Sequence, residues 1–212
     1  MQKIYNKKLK KSSKLWISRQ NNDFYVKEAK AKGYRSRSAF KLIEINKKFK
    51  FLKNNLNILD LGSAPGGWSQ VCSEINKNGK NLSIDILDMD KIDNIFFYKK
   101  DFNELDFFDF VNNFFALNKV DIVLSDMAVN TTGNKDLDAM KTNSIALDVV
   151  NLSKVILKPK SSLLVKIFSG KDENILIKNA KDSFKIIERI KPDSSRKESR
   201  EMYLLCRDLK TI

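Results

Sequence analysis

L-D-L-G-S-A-P-G-G-W-S-Q, residues 59 to 70, joins a short apolar run to a turn almost stripped of side-chain bulk. Asn57, Ile58, Leu59, Asp60 and Leu61 have the length and composition of a buried strand, and Trp68 to Ile75 can open a helix. Strand, small-residue turn and helix in that order make the first βα unit of a doubly wound sheet. Glycines such as Gly62 and Gly66 let the backbone take positive φ and come close to a ligand, and Asp60 at the strand end can accept a hydrogen bond from an ammonium or hydroxyl group. The spacing is G-x-x-x-G-G, not the G-x-G-x-x-G of a dinucleotide fold. A pyrophosphate needs free amides over a helix N-terminus, and Pro65 withholds one of them. Taken alone, these residues also fit an ordinary tight turn, so the rest of the chain decides.

Outward from this turn, strands alternate with helices. Asn22 to Lys32 and Ser38 to Phe49 read as helices before the first strand. Asn81 to Leu87, Phe96 to Phe102, Val120 to Met127, Ser162 to Phe168 and Met202 to Arg207 read as strands after it. Leu137 to Leu157 and Asn174 to Phe184 fill the gaps as helices, the former stopped by Pro159. This alternation predicts an α/β fold with a parallel-dominated sheet, helices on both faces, and ligands outside the carboxyl ends of the strands.

The chain has 212 residues, 42% of them apolar and 31% charged, enough for one sizeable core. No apolar run reaches the length of a membrane-spanning helix, and no signal-peptide core follows the start. The first residues resemble a transit peptide in charge but are lysine-rich and lack arginine until Arg19. Cys72 and Cys206 stand far apart in helix-like and strand-like contexts, as small buried thiols do, and a reducing cytoplasm is the expected location. There is no histidine, which excludes Ser-His-Asp triads, histidine bases and the common zinc sites. Nothing points to a metal. Chemistry must therefore run on Lys, Asp, Glu, Tyr or Ser.

Net charge is +14, and residues 1 to 50 hold 16 Lys or Arg against only Asp23, Glu28 and Glu44. The remainder of the chain is close to neutral, so the basic charge is regional. Interleaved with Trp16, Phe24, Tyr25 and Tyr34, it suits a nucleic-acid backbone, because lysines release counterions and aromatic rings offer stacking faces. A membrane surface would want a clean apolar face, which Lys3 to Lys14 lacks.

Three acids fall at strand ends. Asp85 closes the second strand, Asp101 follows the third and Asp126 ends the fourth, all on the side of the Gly62–Gly67 turn. Carboxylates so placed can take ribose hydroxyls and an adenine amino group. D-x-G-x-x-P-G is a spacing of S-adenosylmethionine sites, and the acids give a nucleoside its place beside it.

Five segments then resemble one family. G-Y-R-S-R-S-A-F-K-L at 33–42, D-L-G-S-A-P-G-G-W-S-Q at 60–70, S-D-M-A at 125–128, V-K-I-F at 165–168 and K-P-D-S-S-R-K-E-S-R-E-M-Y at 191–203 resemble, in order, the FtsJ-like 2'-O-ribose RNA methyltransferases. The resemblance runs from about Ser12 onward and is closest to bacterial members that act on a uridine of 23S ribosomal RNA. It implies a Rossmann-like S-adenosylmethionine-dependent methyltransferase fold with a mostly parallel seven-stranded sheet, residues 21–212 forming one domain behind a basic arm over 1–20. It carries a Lys-Asp-Lys-Glu tetrad onto Lys41, Asp126, Lys166 and Glu201, and cofactor contacts onto Gly66, Trp68, Asp85, Asp101 and Asp126. Implied partners are ribosomal RNA and the large (50S) subunit, for a monomeric enzyme.

The tetrad also makes chemical sense. A ribose 2'-hydroxyl is protonated at neutral pH and needs orientation, with acceptance or removal of its proton, before it attacks a sulfonium methyl. Lys166 is the expected proton acceptor, and an ordinary lysine, with a pKa of about 10.4, is charged at pH 7. Lys41 favours its neutral form, whereas Asp126 and Glu201 favour the ammonium. Arg35, Arg37, Arg196, Lys197 and Arg200 are expected to clamp phosphates, helped by Ser36, Ser194 and Ser195, although solvated basic loops would have the same composition. Tyr34 and Tyr203 can stack on a base or sit in the core. The chain departs from the family pattern at Val129, where proline is usual, at Lys100, where glycine is common, and at Ser169, where a bulkier polar residue is common. A transfer RNA methyltransferase and a non-catalytic RNA-binding assembly factor on the same scaffold are the alternatives.

Overall fold

The structure is a computed structural model that describes residues 22–117 and 119–210. The arm expected over residues 1–20 lies outside them. Its elements are α1 (Phe24–Ala31), α2 (Ser38–Phe49), β1 (Asn57–Leu61), α3 (Gly67–Ile75), β2 (Lys80–Asp85), β3 (Phe96–Lys99), α4 (Phe107–Phe114), β4 (Val120–Ser125), α5 (Lys135–Ile156), β5 (Leu157–Phe168), α6 (Glu173–Ser183), β6 (Phe184–Ile190) and β7 (Glu201–Leu209).

The strands form one sheet in the order β3-β2-β1-β4-β5-β7-β6. β1 to β5 are mutually parallel, and β7 inserts antiparallel between β5 and β6. That reversal matters, because the start of β7 then lies at the carboxyl ends of its neighbours. Phe168 pairs with Glu201, and Lys166 with Tyr203.

Strand alternation divides the core into two layers. Ile122 and Leu124 of β4, Leu164 of β5, and Tyr203 and Leu205 of β7 face α2 and α3, where they meet Leu42, Ile45, Trp68 and Val71. Val123, Leu163, Val165, Leu204 and Cys206 face α4, α5 and α6, against Phe107, Val149 and Leu176. Cys72 and Cys206 are free, buried and on opposite faces of the sheet. No helix among the described residues is long and apolar enough to cross a membrane.

Two elements were not expected. Phe107, Phe110, Val111 and Phe114 have the i, i+3, i+4, i+7 spacing of the amphipathic helix they form, α4. β6 takes over where the expected helix ends, its residues too exposed on both faces for a clean alternation. β5 starts earlier than Ser162, and Pro159 lies in the irregular stretch opposite Val120 and Ile122 where its pairing slips.

At the front of the molecule Asp23 ties three segments together. Its carboxylate accepts from the amides of Tyr25 and Val26, capping α1, and also receives Arg37 and, at 3.2 Å, Arg196. Arg37 donates in addition to the Ser194 carbonyl oxygen. The basic lead-in to α2 is thereby fixed to the 191–200 loop.

Asp60, in the middle of the sheet, is only 2% exposed. Its Oδ2 accepts from Ser69 Oγ at 2.7 Å, Ser69 Oγ lies 2.9 Å from Ser83 Oγ, and Asp60 Oδ1 has no partner among the described residues. Burial pushes its carboxyl up to about 7, the Ser69 hydroxyl works against that rise, and the charges of Asp126 and Asp85 add to it. A carboxyl raised in the folded state stabilises the fold at low pH and withdraws that contribution as pH rises from the ordinary carboxyl range through 7. The full withdrawal is on the order of 4 kcal/mol at pH well above 7. Asp60→Asn should therefore gain in melting temperature on the wild type between pH 5 and pH 8.5, roughly 2–4 °C for each kcal/mol removed. Parallel melting curves across that interval would show that Asp60 does not titrate there.

Candidate active site

At the carboxyl edge of the sheet, four charges converge, three from α2, β5 and β7 and the fourth, Asp126, from the residue after β4. Lys41, on the first turn of α2, places Nζ 2.7 Å from both carboxylate oxygens of Glu201, the first residue of β7. Lys166, near the end of β5, places Nζ 2.8 Å from Asp126 Oδ1 and donates to the Asp126 carbonyl oxygen at 2.6 Å. Lys166 Nζ and Glu201 Oε2 are 4.0 Å apart, so the two pairs form one network. Both lysines are 8% exposed. Burial of this depth leaves the charges dependent on each other, since an unpaired ion there would lack both water and a partner.

The floor of this network is Tyr203, wholly buried, whose hydroxyl donates to Asp126 Oδ1 at 2.6 Å. Its ring lies 5.8 Å below the Lys41 ammonium and packs against Trp68. Burial pushes the Tyr203 hydroxyl well up, with the charges of Asp126 and Glu201 acting the same way, so it remains a donor. Burial alone would raise Asp126, but Lys166 and Lys41, with hydrogen bonds from Lys166 and Tyr203, outweigh it and hold that carboxyl below the ordinary range. Tyr203 is therefore core, not a face for a base. Tyr34 packs edge-on to Phe40 and donates to Glu74 Oε2 at 2.8 Å.

Asp126 also lines a cleft of about 570 Å³ beside the network. Leu61, Gly62 and Ala64 of the glycine turn form one wall, Asp85, Ile86, Leu87 and Asp101 another, and Met127 to Asn130 a third. Gly62 has φ +72, and a Cβ there would meet Met127 Cγ at 2.2 Å, so only glycine leaves the turn this shape. Asp85 holds its walls together by accepting from the Ala64 amide and the Leu87 amide, both at 2.8 Å. Asp101 accepts from the Asn103 amide and side chain at 2.9 Å. Of the residues expected at a cofactor, Gly62, Asp85, Asp101 and Asp126 face this cleft. Asp60 lies under it, and Gly66 caps α3 on the outer side near Ile92 and Arg35. Trp68 is buried behind it, its Nε1 donating to the Ser38 carbonyl oxygen at 2.9 Å.

Two of the three departures from the family pattern, Lys100 and Ser169, have a local partner. Val129 lines the cleft, and the loop beyond it is fastened by Asp138, whose Oδ1 accepts from the Thr132 amide at 2.9 Å and its hydroxyl at 2.7 Å. Lys100 pairs with Glu104 at 2.5 Å and Asp106 at 2.8 Å. The Ser169 amide donates to the Arg200 carbonyl oxygen at 2.9 Å, fixing the turn before α6 to the residue ahead of Glu201.

The expected phosphate contacts divide. Lys197 is exposed, and Arg200 reaches Asp136 at 2.5 Å on an open surface. Arg37 and Arg196 are engaged by Asp23 as described above. Arg35 donates to three backbone carbonyls, those of Pro65, Asp90 and Lys91. Ser36 Oγ sits against Gly67, where a Cβ would meet it at 2.1 Å. Ser194 is buried, its amide donating to Glu44, while Ser195 donates to Glu201 Oε1 at 2.9 Å. Sequence reasoning missed that Ser195 and Tyr203 each hydrogen-bond a tetrad carboxylate. The register of β7 on β5 would have suggested Tyr203, since it places that residue opposite Lys166.

Comparison with known proteins bears on the fold and the family. A family model described as FtsJ-like methyltransferase matches residues 34–209. Ribosomal RNA large subunit methyltransferase E of Pelagibacter ubique is 44% identical over 198 residues, 93% of this chain and 97% of that protein. The protein of the same name from Rickettsia conorii is 43% identical over 207 residues, 94% of this chain and 90% of its own. Among solved structures, one described as a ribosomal RNA methyltransferase of Plasmodium falciparum superposes with a TM-score of 0.74 at 34% identity, covering 83% of this chain and 98% of that one. A Methanococcus jannaschii fibrillarin, at 17% identity and a TM-score of 0.52 over 76% of this chain and 70% of its own, shares the fold alone. With its tetrad assembled and its sheet in this order, the chain belongs to the FtsJ-like methyltransferase family.

Proposed function

We propose that the protein transfers the methyl group of S-adenosylmethionine to a ribose 2'-oxygen of ribosomal RNA, at a uridine of the large subunit. The observation that carries this reading is the double role of Asp126. One carboxylate lines the cleft and closes the lysine network, so a donor in the cleft and a hydroxyl at the network meet at one residue. The cleft suits the donor: Gly62 lets Met127 close against the turn where a Cβ would stand, Asp85 and Asp101 offer acceptors for a ribose and an amino group, and Asp60 Oδ1 and Ser63 Oγ are buried without a partner among the described residues. When bound, it supplies an electrophilic sulfonium methyl. Relatives named for the large ribosomal subunit support RNA of that subunit as the acceptor, and the basic residues of the first 50 support an RNA of any kind. A cytoplasmic location, beside the ribosomes, goes with this reading.

In the mechanism, Glu201 holds Lys41 at the rim, Asp126 and its own carbonyl hold Lys166, and Tyr203 and Ser195 lock the two carboxylates. The RNA hydroxyl is oriented by this cluster. Lys166 Nζ, held on Asp126, would be the group that takes the proton from that hydroxyl as the oxygen is methylated. With Lys41 paired to Glu201, the proton that Lys166 would gain restores its ion pair with Asp126, so methyl transfer leaves the rim as two opposite-charge pairs.

Labelled S-adenosylmethionine, offered with undermethylated large subunits, naked ribosomal RNA and transfer RNA, should mark the large subunit. Label in transfer RNA alone would transfer the activity to that substrate, and none anywhere would leave a binding factor. Lys166→Ala and Lys166→Arg should each lose about a hundredfold or more in rate, whereas near-normal turnover by the arginine variant would rule out a base. Tyr203→Phe, which removes the hydroxyl on Asp126 Oδ1, should fold and slow methyl transfer about tenfold. An unchanged rate would show that Lys166 alone suffices to place Asp126.

A further inference from the structure

Arg35 belongs to the basic segment that leads into α2, yet its guanidinium meets no acid among the described residues. Nη1 donates to the Pro65 carbonyl oxygen at 3.3 Å and to that of Asp90 at 2.7 Å, while Nη2 donates to that of Lys91 at 2.8 Å. Pro65 lies in the turn after β1, and Asp90 and Lys91 lie in the stretch after β2. These are two separate walls of the cleft, since Ala64 lines it from the first and Ile86 and Leu87 from the second. Arg35 crosses between them from outside. Gly66 makes room for the crossing, because a Cβ there would stand 2.7 Å from Ile92 Cδ1 and 3.1 Å from Nη1.

The arginine is itself anchored. Its amide donates to Gln70 Oε1 at 2.7 Å, and Gln70 Nε2 returns a bond to the Gly33 carbonyl oxygen at 2.8 Å. Tyr34 next to it donates to Glu74, so residues 33–35 are fastened to α3 at successive turns. The stretch from Ile86 to Ile95, by contrast, contains no regular structure. It is held at its far end by Ser73 Oγ on the Asp93 carbonyl oxygen and by Asn94 Nδ2 on that of Asn76. At its middle Arg35 holds the backbone at Asp90 and Lys91, while Lys99 Nζ reaches only the exposed Asp88 side chain, at 2.8 Å.

We infer that Arg35 is a positioning residue for the methyl donor, joining the glycine turn to the Ile86–Ile95 stretch as one preformed wall, an inference that rests on the donor assigned under Proposed function. A planar fork suits this task and an ammonium does not, because the three carbonyls diverge and a lysine offers one compact nitrogen at the end of a flexible stem. A contact to a phosphate would tolerate the exchange far better, since it needs chiefly the charge. Ordering the stretch in advance spares the donor that cost on binding.

Arg35→Lys therefore separates the two roles, with Arg35→Gln as the neutral companion. Calorimetric titration with S-adenosylmethionine should show a dissociation constant raised about tenfold in both variants. Amide exchange in the ligand-free protein should quicken over residues 86–95 in both. The salt dependence of RNA affinity should keep its wild-type slope even in Arg35→Gln. Wild-type donor affinity with wild-type exchange in Arg35→Lys would overturn the inference, as would a slope reduced by about one in Arg35→Gln with donor affinity intact. Quickened exchange in a protein whose wild type binds no S-adenosylmethionine would uphold the brace and reject the donor instead.

Discussion

Lys41 and Glu201 stand 160 residues apart in the chain and meet at 2.7 Å. Much of the molecule is arranged so that this can happen. Glu201 reaches the carboxyl edge of the sheet because β7 runs against β5, and β7 can do so because β6 carries the chain out along the sheet's edge first. Lys41 reaches the same edge because α2 packs Leu42 and Ile45 into the layer that contains Tyr203 and Leu205. Sheet order and helix packing are thus settled by apolar burial, which is non-directional. The ion pairs, which are directional, then select one register from those that burial would tolerate.

Such a network contributes little to stability for its own sake. Removing four charges from bulk water costs several kcal/mol per ion, and their mutual attraction returns roughly that much only when every partner is present. Its value lies in what it excludes. With Lys166 held on two oxygens of Asp126, Asp126 held by Tyr203, and Glu201 held by Ser195, no member can swing away without leaving another exposed to the low-dielectric interior. The side chains of the site are therefore as fixed as those of the core, although they are polar. Asp60 follows the opposite course: burial, with two carboxylates nearby and only one hydroxyl to offset them, raises its carboxyl to about 7.

Periodicity made the sheet legible, because β1, β4, β5 and β7 are apolar runs with long buried stretches, and α2 carries a stripe at helical spacing. β6 escaped because an edge strand with several exposed residues lacks that contrast, and its first residue, Phe184, completes the apolar pattern of α6 as well as it opens a strand. The tetrad was legible through segments whose residue types only make sense together. The fate of the arginines was not. Arg35, Arg37 and Arg196 stand in a basic segment or a basic loop, and composition suggests solvent and phosphate, but each is engaged by carbonyls or by Asp23. Nothing local distinguishes an arginine that binds its own backbone from one that awaits a ligand, since acceptors come from segments that only the fold brings near.

That distinction bears on how the positive charge is used. Asp23 takes two arginines at once, so the front of the molecule keeps a positive surplus while still being pinned. The pinned arginines join α1, the entry to α2 and the 191–200 loop, which is the frame around Lys41 and Glu201. Exposed charge, on Lys197, on Lys27 and Lys30 of α1 and on Lys47 and Lys48 of α2, lies outside that frame. Binding an anion through a pinned arginine would cost Asp23 its partner and loosen that frame. The two sets therefore have to be different residues, and the acid that separates them, Asp23, is one of only three in the first 50 positions.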